Sequence, residues 1–145
     1  MASVRVETHP PVRLMLLGIL IIGLLGSAAD LLFLGHYEDK MQFVPFGLIA
    51  ASLPVIVWDA AARTSTSARA MRLMMAALVV SGLVGIALHY LGSVEFQKEV
   101  DPAIRGFELF MKVMESKAPP TIAPAILAHL GLVGLVYTYC KTERR

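Results

Sequence analysis

The sequence predicts an all-α protein: an antiparallel bundle of four transmembrane helices, with a short amphipathic outer-face helix between the third and fourth, forming one integral membrane domain over residues 1–145. Three observations carry this expectation. Hydrophobic residues make up 57% of the chain and charged residues only 17%, below the quarter or so typical of soluble domains. Four apolar stretches, approximately 12–34, 42–62, 70–92 and 121–139, have the length a bilayer core demands. Lysine and arginine are also unevenly divided between the two sides that such a topology defines.

The first stretch, Val12 to Leu34, reaches roughly 34 Å at about 1.5 Å per residue. A secretory signal competes for the same residues, with Arg5 and Arg13 as its basic region and Ser27-Ala28-Ala29 as its cleavage site. The apolar run continues past that cut through Leu31, Leu32, Phe33 and Leu34, which favours a span. It stops abruptly in His36, Tyr37, Glu38 and Asp39, where the chain leaves the membrane. The second helix follows from Gln42, with Pro45 tolerated in its first turn and Pro54 in its interior. Near its end Trp58 suits an interface, and Asp59 has the spacing to pair with Arg63.

A polar loop, Arg63 to Arg69, leads into the third helix, which is expected to end at His89-Tyr90 and Gly92. Small residues at Gly18, Gly23, Gly26, Ser81, Gly82 and Gly85 allow close helix approach. The segment from Ser93 to Pro120 is too polar to span. Within it Asp101 is the expected cap of a helix over approximately 102–116, with Ile104, Phe107, Met111 and Met114 on one face and Arg105, Glu108, Lys112 and Glu115 on the other. Such a helix lies flat on the membrane or caps the bundle. The fourth helix begins at Thr121, takes Pro124 in its first turn, and ends at Tyr139 before a basic tail.

With the N-terminus inside, the inner segments hold Arg5, Arg13, Arg63, Arg69, Arg72, Lys141, Arg144 and Arg145, against Lys40, Lys98, Arg105, Lys112 and Lys117 outside. This bias predicts a multi-pass protein with both termini cytoplasmic. A net charge of +2 divided in this way points to membrane orientation and away from a nucleic-acid partner. One cysteine, Cys140, leaves no internal disulfide to form.

The topology gathers polar residues at the outer face. A metal site there would use His36, Glu38, Asp39, His89 and Glu95, since imidazole and carboxylate together suit a transition metal. The spacing of known motifs argues against it, because neither a paired Glu-x-x-His nor an HExxH or CxxC pattern occurs. The plainer alternative is that His36, Glu38 and Asp39 cap the first helix and brace its turn, while His89 and Glu95 bond to the outer amphipathic segment. Asp30 and His129 form an expected intramembrane polar pair, each turned into the bundle and partnered there, or marking a proton or small-solute pathway. Haem between His89 and His129 is disfavoured because the two differ in depth. Nothing in the chain has the pattern of an activated nucleophile with its base.

The pattern Gly-His-Tyr-Glu-Asp-x-x-Gln-x-x-Pro at Gly35 to Pro45 is joined by Leu-His-Tyr-x-Gly at Leu88 to Gly92, Glu95-Phe96 with Glu99, Pro102 with Gly106, and Ala123-Pro124. Together these resemble a group of small bacterial integral membrane proteins with four spans. The resemblance implies placement in the bacterial inner membrane and a four-span fold. The functional expectation is a small accessory or interaction subunit, partnered by the lipid bilayer and by other membrane subunits or a second copy. Metal handling at the outer cluster and a pathway around Asp30 and His129 are the alternatives.

Overall fold

Apolar segments with few charges become helices here because a helix satisfies its backbone groups internally. The computed structural model describes residues 10–116 and 120–140, and these fold as α1 (Pro10–Phe33), α2 (Phe43–Ala62), α3 (Ser65–Val100), α4 (Gly106–Met114) and α5 (Ala125–Tyr139). A single 3-10 turn, Lys40–Gln42, precedes α2. The described residues contain no strand pairing that builds a sheet. Three helices, α1, α2 with its leading turn, and α3, are long and apolar enough to cross a membrane. Of the residues counted for orientation, Arg5, Lys117, Lys141, Arg144 and Arg145 lie outside the described residues.

α3 is the axis of the fold. It packs most extensively on α5 and next on α2, while α1 lies along α5 and touches α2 sparsely. The core joins Leu20 and Leu24 of α1, Ile49 and Ile56 of α2, Met71, Met75 and Leu78 of α3, and Leu127, Leu130 and Tyr137 of α5. α3 and α5 approach closely because glycine removes the obstructing side chain. A Cβ at Gly82 would stand 2.5 Å from the Ala128 nitrogen, and one at Gly131 would stand 2.6 Å from the Met75 carbonyl oxygen.

Four expected boundaries move: both ends of α3, which begins at Ser65 inside the expected loop, and the starts of α4 and α5. α3 runs on through Val100, past the expected end at Gly92. Val94 to Glu99 contain no residue that breaks a helix, and the stop comes only at Asp101, which precedes Pro102 and is extended. At the other end Thr64 and Ser67 cap each other, the Thr64 Oγ1 accepting from the Ser67 backbone N–H and the Ser67 Oγ from that of Thr64.

Asp101 therefore does not cap the amphipathic helix. Its Oδ1 accepts from the Ala103 N–H at 2.9 Å, closing a local turn, and α4 starts only at Gly106, whose φ is +58°. The fourth apolar segment also begins later than Thr121. Pro120 to Pro124 form successive tight turns, with Ala123 bonding back to Pro120, Ala125 to Ile122 and Leu127 to Pro124, before α5 begins at Ala125.

Candidate functional site

The turn after α1 is built from residues 34–42. Gly35 takes φ +66°, and the His36 N–H donates to the Leu31 carbonyl, which ends α1 and carries the chain sideways. The Gln42 Oε1 then accepts from the N–H groups of Glu38 and Asp39 at 2.7 and 3.1 Å. These bonds hold the backbone of the acidic pair. The Glu38 and Asp39 side chains stay exposed.

His36 and His89 meet beside this turn, their ring centroids 6.0 Å apart and tilted by 49°. The Nδ1 of His89 lies 3.0 Å from the Pro120 carbonyl oxygen. A carbonyl only accepts, so Nδ1 carries the proton there, and in the neutral ring Nε2 holds the lone pair. One imidazole thus ties α3 to the connector before α5, and the other brings the turn after α1 against it.

Glu95 does not join them. It sits six residues after His89, about 240° further round the helix, and is exposed. Among the described residues no group of three or more His, Cys, Asp and Glu is placed to hold a metal ion, so the ligand set His36, Glu38, Asp39, His89 and Glu95 does not assemble.

Burial and the nearby His89 ring lower the pKa of His36 below its ordinary 6.5. The folded protein therefore favours the neutral ring at His36. The stability this contributes is complete above pH 6.5 and is lost as pH falls below that value and through the lowered one. We expect the thermal unfolding midpoint in mild detergent to drop between about pH 7 and pH 5, and His36→Gln to flatten that drop. An equal drop in the variant would remove His36 as its source.

Asp30 and His129 depart from expectation. Both are exposed on the surface of the chain, Asp30 near the end of α1 and His129 in the first turns of α5, and they form no ion pair with each other. Their helices are apolar around most of their circumference, so hydropathy does not fix which side turns inward.

The best-buried polar cluster lies at the opposite end, and sequence reasoning missed it. Asp59 is 1% exposed and accepts at Oδ1 from the Ser67 hydroxyl at 2.8 Å. The Arg13 guanidinium lies 3.9 Å from its Oδ2, donates to the Tyr137 hydroxyl at 2.7 Å, and sits 4.8 Å over that ring. Four helices are joined by this cluster. Arg63, the expected partner of Asp59, instead closes α2 in the left-handed conformation and donates its Nε to the Ala60 carbonyl. The available signal was position: Arg13 lies near the start of its segment and Asp59 and Tyr137 near the ends of theirs, and a buried acid needs a partner from another element.

Compared with protein-family models, curated proteins and solved structures, the chain matches none.

Proposed function

We propose that this chain is a four-span protein of the bacterial inner membrane, with both termini cytoplasmic, acting as a small accessory or interaction subunit through the side formed by α1 and α5. The observation that carries the reading is the exposure of Asp30 and His129 on two helices whose other exposed residues are largely apolar. A charged or polar side chain facing lipid within an apolar helix carries a desolvation cost that falls toward the helix end, and a protein neighbour that hydrogen-bonds it removes that cost. Gly23 packs against Leu130, the residue after His129. Asp30 stands about two turns beyond Gly23 on the same side of α1. The two polar groups therefore belong to adjoining flanks of one helix pair.

Length supports the fourth crossing. α5 has 15 residues, or roughly 22 Å, and the tight turns from Pro120 add up to roughly 10 Å at 3-10 rise, close to a bilayer core. Pairing of Arg13 with Tyr137 and of Gly23 with Leu130 supports opposite directions for α1 and α5.

The test is a photo-crosslinking residue placed in native membranes at Gly26 on α1, Leu132 on α5, or Leu83 on α3, all exposed. Protein adducts of defined mass at Gly26 and Leu132, with lipid adducts alone at Leu83, are the expected result. Lipid adducts alone at all three positions would refute an interaction surface on α1 and α5.

A further inference from the structure

We infer that α4 is an anchor in the outer leaflet, its aromatic and methionine face resting among the lipid headgroups and upper acyl chains beside the bundle. The inference rests on the membrane-spanning reading above.

α4 has three faces. Val113 is fully buried and Leu109 is partly buried against the rest of the chain, and the Val113 carbonyl accepts from the Thr121 hydroxyl at 2.8 Å. Glu108, Lys112 and Glu115 share a second, exposed face. Between them lies a third face of Phe107, Phe110, Met111 and Met114, which are 76, 43, 38 and 39% exposed. Packing on α3 already buries one apolar face of this helix. The second apolar face, with the Phe107 and Phe110 rings stacked at 6.2 Å, is only partly covered among the described residues, with Tyr90 beside Phe110.

Its level identifies the cover. The Phe110 ring lies 6.5 Å from that of Tyr90, next to His89, and His89 meets His36 just beyond the end of α1. The apolar α1 thus stops at the height where α4 begins to pack. α3 is 36 residues long, about 54 Å against a core of about 30 Å, so its last turns rise out of the bilayer and α4 folds back toward the surface. The charges on and beside α4 balance, Arg105 and Lys112 against Glu108 and Glu115. Attachment is therefore apolar and independent of headgroup charge.

The experiment uses the full chain with Trp58→Phe, reconstituted in phosphatidylcholine vesicles carrying bromine at a shallow or a deep acyl position. Phe107→Trp and, separately, Met114→Trp report on α4, and Ile22→Trp on the exposed middle of α1. The anchor predicts blue-shifted emission from both α4 reporters, a larger intensity loss with shallow than with deep bromine, and little loss to aqueous iodide, in low or high salt. The reverse depth preference is expected for Ile22→Trp. Water-like emission quenched by iodide at both α4 positions would overturn the anchor, as would protection from both quenchers, which would mean a second copy covers the face. Either result with Ile22→Trp quenched by lipid removes the anchor alone. An unquenched Ile22→Trp removes the spanning premise and the anchor together.

Discussion

Asp59→Ala is expected to lower stability by about 3–5 kcal/mol, the range for breaking a buried ion pair by removing one partner. The carboxylate is almost completely enclosed, receives the Ser67 hydroxyl, and faces the Arg13 guanidinium. Its loss leaves that part-buried cation with the Tyr137 hydroxyl and ring as its partners among the described residues. α1 suffers most, because its contact with α2 is otherwise sparse. Arg13→Met combined with Asp59→Leu should recover most of the loss, since apolar residues of similar size replace both charges without stranding either. Thermal unfolding of the single and double variants in mild detergent measures the difference. A double variant as unstable as Asp59→Ala would show that side-chain shape, rather than the stranded charge, sets the effect.

The second large effect lies at the α3 and α5 contact, where Gly131→Ala should cost about 1–3 kcal/mol, as inserting an extra group into a packed core does. The added methyl meets the Met75 carbonyl oxygen and the Val79 nitrogen, and backbone atoms do not rotate aside as a side-chain end does. Gly82→Ala should behave alike against Ala128 and Pro124. Gly47→Ala on α2, where a Cβ meets nothing within 4 Å, should raise stability by up to about 1 kcal/mol because alanine is the better helix former. The same substitution thus changes sign with its neighbourhood. Equal effects at Gly47 and Gly131 would contradict close approach of α3 and α5.

Hydropathy carried the apolar segments from sequence to structure well, because exclusion from water acts on composition and length, which a linear chain displays. It failed where a decision depends on what the chain meets. Residues Ser93 to Val100 are too polar to read as part of the apolar segment, yet they extend α3, since a helix has no reason to stop until a breaker such as Asp101-Pro102 arrives. The turn at His36 was legible as an exit from the apolar run, and its meeting with His89 followed from topology. The acidic residues nearby suggested ligands, but they are exposed and gather no group of three or more candidate ligands among the described residues, which spacing in sequence does not reveal. Asp30 and His129 illustrate the same limit: a helix apolar all round gives no phase, so its polar residue shows that a partner is needed and not on which side. The Arg13 and Asp59 cluster required four helices to be placed before its members became neighbours.

The most direct test of the four-span reading is labelling with a membrane-impermeant maleimide in intact spheroplasts, using single cysteines in a Cys140→Ser chain. Lys98→Cys on the outer end of α3, Thr66→Cys at its inner start, and Tyr139→Cys at the end of α5 all replace exposed residues. Labelling of position 98 from outside, with positions 66 and 139 reacting only after the membrane is opened, is the predicted result. Labelling of 139 together with 98 in intact spheroplasts would show that α5 does not cross, and the four-span account would be wrong.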